Sequence, residues 1–432
     1  MIAKKFSGGI HLPYYKELSR DEPIEKGDIP SRLIIPLSQH IGSPCSSLVE
    51  EGDRVQAGDV IGRSEEFVYA PVHSGADGVV EAIEQRENFA GDKIPGVVIK
   101  VDEDGGEPEY EKVRDPDSAS REEIISAVRE AGIAGMGGAA FPTAVKLQPP
   151  EDKEVDTVII NGCECEPFLT CDFRMMLEEP QKILKGAEII RRTVEAEECY
   201  IAIEDNKMEA VEKLRSKNSS EMLKVVEMPT VYPQGAEKNL IEALLGREVP
   251  SGGLPFDVGV LVQNVGTTAA VYDAVCRDKP LTERVVTVTG NNLENPSNLM
   301  VKIGTPISTL IEQCGGAKQD SARVVVGGPM TGFAQSSLEV PVVKGTTGII
   351  VMMPEDLRED DYRPCIKCEQ CIEHCPVRLY PNFISMAYED GDINRADSWD
   401  AMDCIECGIC SYVCRSYRPL LKHIKLAKAE LG

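Results

Sequence analysis

The stretch CIKCEQCIEHCP, residues 365–376, places four cysteines at the spacing C-x2-C-x2-C-x3-C-P. The same spacing returns in CIECGICSYVCR, residues 404–415, where arginine stands in place of the final proline. A loop of this spacing wraps three thiolates around one iron–sulfur cubane and sends the fourth thiolate to a neighbouring cluster. The sequence therefore predicts two [4Fe–4S] clusters. Their ligand sets are Cys365, Cys368, Cys371 and Cys414 for cluster 1, and Cys404, Cys407, Cys410 and Cys375 for cluster 2.

These cysteines define a C-terminal ferredoxin-like α-helical region over residues 355–432. A pair of zinc sites is the alternative, but zinc favours two C-x2-C pairs per site rather than three evenly stepped cysteines. Residues 381–391, between the two runs, show helical periodicity. After the second run, four basic residues are predicted to share one helix face, which is more typical of a solvated surface than of a docking site. They are Arg415, Arg418, Lys422 and Lys425.

The composition restricts the class of protein. The chain has 432 residues, which suggests several domains, and its net charge of −26 disfavours binding to nucleic acid. There is no run of about 18 apolar residues, so no transmembrane helix is expected. Residues 1–9 lack the apolar segment of a signal peptide, which predicts a cytoplasmic protein. In that reducing compartment the 15 cysteines are more typical of metal ligands than of disulfides.

The middle of the chain alternates predicted strands and helices, which indicates a Rossmann-like α/β domain over residues 116–283. It begins with a capping box, in which Ser120 precedes a helix and Glu123 lies three residues later. A glycine-rich loop, GMGGAAFP, follows at residues 135–142. Buried strands and amphipathic helices then alternate along the chain. The predicted strands are 155–160, 199–204, 223–228 and 258–262, and the predicted helices are 180–195 and 207–217.

Polar residues follow several of these strands. They occur in NGCECEP at residues 161–167, in YPQGAEKN at 232–239 and in QNVGT at 263–267. Because open α/β sheets place ligands at the carboxyl ends of their strands, these segments and the glycine-rich loop predict one binding site. Cys163, Cys165 and Cys171 raise the alternative of a third metal site, although no matching ligand cluster accompanies them.

Two further domains are predicted on either side. Residues 1–115 resemble a biotinyl/lipoyl-like barrel-sandwich domain through segments 52–62 and 70–80. The hairpin between those segments, 63–69, has no lysine to modify, so we expect a structural domain without a swinging arm. Residues 284–354 are interpreted as a β-grasp, SLBB-like domain with strands at 285–289, 300–303 and 323–326 and a helix at 307–314.

The chain resembles the RnfC family, one of the subunit families of the Rnf electron transport complex, over nearly its whole length. The N-terminal motifs FSGGIH at 6–11 and IPLSQHIG at 35–42 carry this resemblance, together with the segment 135–146 and ECEP at 164–167. The middle domain also resembles the flavin- and NADH-binding subunit of respiratory complex I, which has a glycine loop ending in Phe-Pro-Thr. Two departures from that family are Cys163, where it has aspartate, and Ala139-Ala140, where it has Ala-Gly.

The resemblance implies FMN and NADH sites in the middle domain. It places the FMN phosphate against Gly135, Gly137, Gly138 and Lys146. It places Asn161, Glu164 and Asn264 around the flavin, with Gly235 and Thr267 nearby. It assigns Phe141 and Glu166 to NADH.

The resemblance also implies an activity. NADH would transfer a hydride to FMN, and single electrons would then pass through both clusters to partner subunits and, reversibly, to ferredoxin. The implied partners are the other Rnf subunits, including the ferredoxin-like B subunit and the membrane subunits. The implied location is the cytoplasmic side of the membrane, without a transmembrane helix. The alternatives are a related flavin and iron–sulfur cobalamin reductase, a non-catalytic electron-wiring subunit, and use of NADPH instead of NADH.

Overall fold

Short antiparallel strands, rich in valine and isoleucine, make up the N-terminal part of the chain. The structure is a computed structural model that describes residues 6–103, 105–106, 108, 110, 114–319, 323–356 and 362–432. The remaining parts of the predicted domains 1–115, 284–354 and 355–432 lie outside the described residues. The strands of this part are β1 (Ile24–Lys26), β2 (Arg32–Pro36), β3 (Ser46–Ser47), β4 (Arg54–Val55), β5 (Val60–Arg63), β6 (Val72–His73), β7 (Gly78–Glu87) and β8 (Lys93–Val101).

Two small sheets form this part, as predicted for a barrel sandwich. One has the strand order β2-β8-β7-β4 and the other the order β3-β5-β6. Leu33, Ile61 and Ile99, drawn from both sheets, are fully buried in one shared hydrophobic core. The lysine-free segment 63–69 lies between β5 and β6, where it was expected.

The middle of the chain is an α/β domain around a four-stranded parallel sheet of order β11-β10-β9-β12. The predicted capping box is present, because Ser120 Oγ accepts from the Glu123 amide and the Ser120 amide donates to the Glu123 carboxylate. The strands are β9 (Thr157–Asn161), β10 (Glu198–Glu204), β11 (Leu223–Met228) and β12 (Val260–Asn264). The helices are α1 (Arg121–Glu130), α2 (Thr143–Lys146), α3 (Cys171–Glu178), α4 (Pro180–Thr193), α5 (Met208–Lys217), α6 (Glu237–Leu245) and α7 (Val265–Arg277).

The next part is a mixed six-stranded sheet of order β1-β14-β13-β17-β15-β16. Strand β1, from the N-terminal part, pairs in parallel with β14, so this sheet draws on residues outside 284–354. The sequence pattern did not predict that β1 joins this sheet, because β1 is only three residues long. The other elements are β13 (Glu283–Thr289), β14 (Ser297–Lys302), α8 (Ile307–Gln313), β15 (Arg323–Val326), β16 (Phe333–Ala334) and β17 (Gly348–Met352).

The C-terminal part is helical and repeats itself after 39 residues. Helix α9 in the first cysteine run corresponds to α12 in the second, and α10 corresponds to α13. The fold class is therefore the predicted one, with barrel-sandwich, α/β, β-grasp and ferredoxin-like parts. The helices are α9 (Gln370–Glu373), α10 (Pro381–Glu389), α11 (Ile393–Asp397), α12 (Ile409–Tyr412) and α13 (Leu420–Leu431).

The predicted basic face after the second cysteine run is wrong. Helix α13 begins at Leu420, so Arg415 and Arg418 precede it. Arg418 is buried and forms an ion pair with Glu389. Lys425 lies on α13 and pairs with Glu406 at 3.7 Å. Helical periodicity cannot anticipate a break in the helix or a buried charge pair.

Candidate flavin and iron–sulfur sites

The carboxyl edge of the parallel sheet brings two asparagines side by side. Asn161 ends β9 and Asn264 ends β12, and the two are direct partners in the register of the pair. Asn161 Nδ2 donates to the Gly235 carbonyl (2.8 Å), and Asn161 Oδ1 accepts from the Cys163 amide (3.1 Å). Three segments singled out in the sequence therefore meet at this edge.

Asn264 connects the sheet edge to the glycine-rich loop. Its Oδ1 caps helix α7 by accepting from the Thr267 amide (3.1 Å), and its Nδ2 donates to Asp172 Oδ2 (2.6 Å). The Thr267 hydroxyl oxygen accepts from the Met136 amide (2.8 Å), which fixes the loop against the start of α7. A Cβ on Gly137 would come within 3.3 Å of the Asn264 side chain, so the loop runs directly over the strand end.

The glycine-rich loop presents backbone N–H groups to open space. It is closed at its base by the Gly135 amide, which donates to the Phe141 carbonyl (2.9 Å). Within the described part of the chain, the amides of Gly137, Gly138 and Ala139 have no hydrogen-bond acceptor. A Cβ on Gly138 would meet no atom within 4 Å. Successive free amides of this kind can bind an anion, which fits the phosphate of FMN.

Lys146 ends the short helix that follows the loop. Its ammonium group donates to Glu237 Oε1 (2.8 Å) and to the Val262 carbonyl (2.7 Å). Both acceptors belong to other elements, so the structure places this lysine beside α6 and β12 rather than against the loop amides. Phe141 is half-buried in the loop itself.

Glu164 lies in a buried charge network that the sequence did not predict. Its carboxylate accepts from the Asp172 amide (2.7 Å), and burial raises its pKa to about 7. The Lys16 ammonium lies 3.9 Å from this carboxylate and donates to the backbone carbonyls of Glu164 (2.8 Å) and Glu166 (3.0 Å). Lys16 comes from the N-terminal part of the chain, about 150 residues away, and only the folded structure could reveal it.

Glu166 faces the six-stranded sheet. Its Oε2 accepts from the Met330 amide (3.1 Å), and its Oε1 accepts from the Thr331 hydroxyl (2.6 Å). The residue therefore joins the α/β domain to the turn between β15 and β16, in addition to any role toward a nucleotide. Burial raises the pKa of this carboxyl.

The cysteines of the C-terminal part come together in the predicted sets. Cys365, Cys368, Cys371 and Cys414 line one cavity. Cys375 lies near Cys404, Cys407 and Cys410 and interacts electrostatically with each of them. Four thiols around a common space are the donor set that a [4Fe–4S] cluster takes.

The backbone around the thiols follows the 39-residue repeat. The Lys367 amide donates to Cys365 Sγ, and the Glu406 amide donates to Cys404 Sγ, both at 3.4 Å. The Leu379 and Arg418 amides donate in the same way to Cys375 and Cys414. Such N–H···S bonds tune the potential of a bound cluster, so the fold supplies both ligands and tuning donors.

The three cysteines near the sheet edge, Cys163, Cys165 and Cys171, are not arranged around a common space as the cluster cysteines are. Cys163 is buried with its Sγ 3.8 Å from the Ala202 carbonyl, and Cys171 begins helix α3, which the sequence pattern did not predict. Among the residues described here, no three His, Cys, Asp or Glu side chains are grouped closely enough to hold a single metal ion. Thiolates around a four-iron cubane lie farther apart than the ligands of a single metal ion, so the cluster cysteines are not expected to form such a group.

Family models match each part of the chain. Residues 4–104 match the RnfC barrel sandwich hybrid domain, and residues 128–273 match the Nuo51 FMN-binding domain. Residues 285–334 match the SLBB domain, and residues 358–415 match the 4Fe-4S dicluster domain. Fold and site together define an electron-transfer subunit with an FMN-binding domain and two [4Fe–4S] clusters.

Full-length relatives narrow this class to one family. The chain is 42% identical over 433 residues to the C subunit of the proton-translocating ferredoxin:NAD(+) oxidoreductase complex of Clostridium ljungdahlii, covering 99% of this chain and 94% of the relative. It is 42% identical over 428 residues to the C subunit of the Na(+)-translocating complex of Acetobacterium woodii, covering 99% and 97%. The chain belongs to the RnfC family, as the sequence motifs predicted.

A solved structure shows a related fold. An NAD+-reducing [NiFe]-hydrogenase in the air-oxidised state superposes with a TM-score of 0.53 at 20% identity, covering 73% of this chain and 66% of that chain. Among the described residues, no helix is long and apolar enough to cross a membrane.

Proposed function

We propose that this chain is the NADH-oxidising subunit of an ion-translocating ferredoxin:NAD+ oxidoreductase complex. The relatives from Clostridium ljungdahlii and Acetobacterium woodii carry that activity in their names and match over nearly their whole length. FMN held in this domain would supply exchange of hydride with NADH and of single electrons, and clusters held by the cysteines would supply one-electron transfer. The partners are the other subunits of the complex, with ferredoxin reached indirectly, and the chain lies on the cytoplasmic face of the membrane.

The proposal depends most on one observation. The free amides of Gly137, Gly138 and Ala139 lie over the sheet edge formed by Asn161 and Asn264. This arrangement offers an anion nest for the phosphate, with polar side chains beside it that can orient a flavin ring.

The chain's own residues have distinct proposed roles. The loop amides hold the FMN phosphate, while Asn161, Asn264 and Glu164 contact the flavin. Thr267 fixes the loop through Met136, and Lys146 would supply positive charge for the FMN phosphate. Gly235, which is bonded to Asn161, would lie near the flavin. Phe141 and Glu166 would bind NADH. The eight cysteines hold the clusters in the two sets described above, and the domain boundaries are those predicted from the sequence.

Composition and NADH response test the proposal together. The protein is purified without oxygen and analysed for iron, sulfide and flavin, and NADH is then added to the same sample. We expect about eight irons, bound flavin, and bleaching of the visible spectrum by NADH, since two [4Fe–4S] clusters hold that much iron. About eight irons with no flavin and no response, even after FMN is supplied, would instead identify an electron-wiring subunit.

A further inference from the structure

The first described residues of the chain run between the α/β domain and the cluster region. The Ile10 amide donates to the Tyr232 carbonyl (3.0 Å), and the Tyr232 amide donates to the Ile10 carbonyl (2.9 Å). One residue earlier, the Gly9 amide donates to the carbonyl of His374 (3.1 Å), which immediately precedes the cluster 2 ligand Cys375. We call residues 6–12 the N-terminal strap.

The strap approaches the cysteine loop too closely for a side chain. Gly8 has φ +72°, and a Cβ there would lie 2.7 Å from the Cys375 carbonyl oxygen and 2.8 Å from that of His374. Both obstacles are backbone atoms, which cannot rotate away as a flexible side chain could. Any residue other than glycine would push the strap and the loop apart.

Tyr232 completes the junction from the α/β side. It is 1% exposed, and its hydroxyl donates to the carbonyl of the cluster 2 ligand Cys407 (2.7 Å). The strap residues Ile10 and Leu12 pack with Tyr232 and Ile409 in one buried apolar cluster, against which Cys165 also packs. A Cβ on Gly235 would come within 3.3 Å of Cys165 Sγ, so packed atoms run from the candidate flavin site to cluster 2.

Cluster 1 has no comparable junction in the described structure. Its ligand Cys368 is exposed, and the neighbouring Ile366 is 63% exposed. The two cysteine loops are alike in backbone, yet in the described part of the chain the strap and Tyr232 contact the backbone of two cluster 2 ligands, Cys375 and Cys407.

We infer that the N-terminal strap is a positioning element that holds cluster 2 against the flavin domain and so sets the rate at which electrons leave the flavin. This inference rests on the proposed function. Electron tunnelling falls exponentially with distance, so a small displacement of the cluster slows transfer while leaving each cofactor bound. None of the hydrogen bonds that the structure describes for the strap reaches the glycine-rich loop, so we expect its effect to be confined to the step between flavin and cluster.

A pair of matched glycine substitutions tests the inference. Gly8→Ala introduces a Cβ against the Cys375 backbone. Gly391→Ala introduces the same strain at φ +71°, but with no atom within 4 Å of the new Cβ. Both variants keep the full chain and carry the same kind of change, so a difference between them reports the contact with cluster 2.

Two readouts are taken from each variant. Rapid mixing with NADH separates flavin bleaching from cluster bleaching, and hydrogen exchange reports the backbone amides of the strap and Tyr232. For Gly8→Ala we expect normal iron and flavin, an unchanged flavin phase, faster exchange in the strap, and a cluster phase slowed roughly tenfold. Gly391→Ala should behave like the parent protein.

An unchanged cluster phase in a Gly8→Ala protein whose strap exchanges faster would overturn the inference. If Gly8→Ala fails to retain iron, Tyr232→Phe removes only the hydroxyl that holds Cys407, and the same comparison is made with it. If NADH reduces no flavin in the parent protein, the proposed function fails. The strap is then tested by reducing the flavin with light and following the clusters.

Discussion

Glu166 has both a structural contact and a proposed role in binding NADH. It accepts hydrogen bonds from Met330 and Thr331 in the turn between β15 and β16, and it is also the residue that we propose binds NADH. Its role toward NADH therefore has to be separated from its role in holding two parts of the chain together.

Replacing Glu166 by glutamine makes that separation. Glu166→Gln keeps an acceptor for the Met330 amide but removes the charge, and loss of a charged hydrogen bond costs about 1.5–3 kcal/mol. We expect kcat/KM for NADH-dependent dye reduction to fall roughly 10- to 100-fold, with iron content unchanged. Thr331→Val removes only the hydroxyl that donates to Glu166, and it should leave kcat/KM close to normal. Full dye reduction by an iron-replete Glu166→Gln protein would exclude the role.

Lys344 is a second residue whose surroundings determine its chemistry. It is 1% exposed, and its Nζ donates to the carbonyls of Pro71 (2.6 Å) and Gly132 (2.8 Å), so it joins the barrel sandwich to the α/β domain. A neutral amine has two N–H donors, which match these two acceptors. Burial lowers the pKa of Lys344 from 10.5 to about 7.

This shift predicts the pH dependence of stability. Between about pH 7 and pH 10 the unfolded chain binds a proton that folded Lys344 does not, so Lys344 increases the unfolding free energy as pH rises, by up to about 1.4 kcal/mol per pH unit. Below pH 7 both states are protonated and this contribution levels off. We expect urea unfolding of Lys344→Met to lack this rise between pH 7 and 9. Parallel pH profiles for the two proteins would contradict the shifted pKa.

At the scale of elements, the two cysteine loops repeat the same backbone but have different surroundings. Glu369 in the first loop and Gly408 in the second both have positive φ, +60° and +82°. Glu369 is exposed, whereas a Cβ on Gly408 would lie 2.6 Å from the Met330 carbonyl oxygen. The second loop is therefore in close contact with the turn between β15 and β16 of the six-stranded sheet.

Gly408→Ala should weaken the contact between the second cysteine loop and the turn that contains Met330. Both the positive φ and the close backbone contact disfavour alanine, so we expect a loss of about 1–3 kcal/mol in stability. The cluster region should consequently unfold at a lower urea concentration in the holoprotein. Glu369→Ala, at the equivalent position of the first loop, should change stability by no more than about 0.5 kcal/mol. Equal effects of the two substitutions would show that the contact with Met330 is unimportant.

Element by element, local signals predicted most of the fold. The cysteine spacing, the capping box at Ser120 and the alternation of strands and helices are all encoded within a few residues of each other. Helix α3 gives no clear sequence signal, because it has only eight residues and its start has no side-chain N-cap hydrogen bond. Strand β1 and Lys16 were missed because they act through contacts with β14 and Glu164, which lie far along the chain.

At the scale of the whole molecule, the two clusters occupy unequal environments. Cluster 2 is enclosed by the strap, Tyr232 and Met330, while the loop of cluster 1 exposes Cys368 and Ile366. Oxidants and chelators in solution reach an exposed cluster more readily, because burial controls solvent access to a metal site.

We therefore expect cluster 1 to be lost first. During brief exposure to air or a chelator, bound iron should fall from about eight to about four per chain and pause there. Cys368→Ser, which removes a proposed ligand of cluster 1, should start near the lower value and lose the rest slowly. Simultaneous loss of all iron from the parent protein would show that the two environments do not differ in access.

The position of the strap has a consequence for biosynthesis. Residues 6–12 are translated long before His374 and Cys375, whose backbone Gly9 and Gly8 contact in the folded protein. At roughly 5–20 residues per second, translation separates these segments by tens of seconds. During that interval the strap has no cysteine loop to bind, and the final docking of the molecule waits for the C-terminal part. A chain interrupted before residue 374 would therefore lack the backbone to which the strap binds, and its strap would stay undocked.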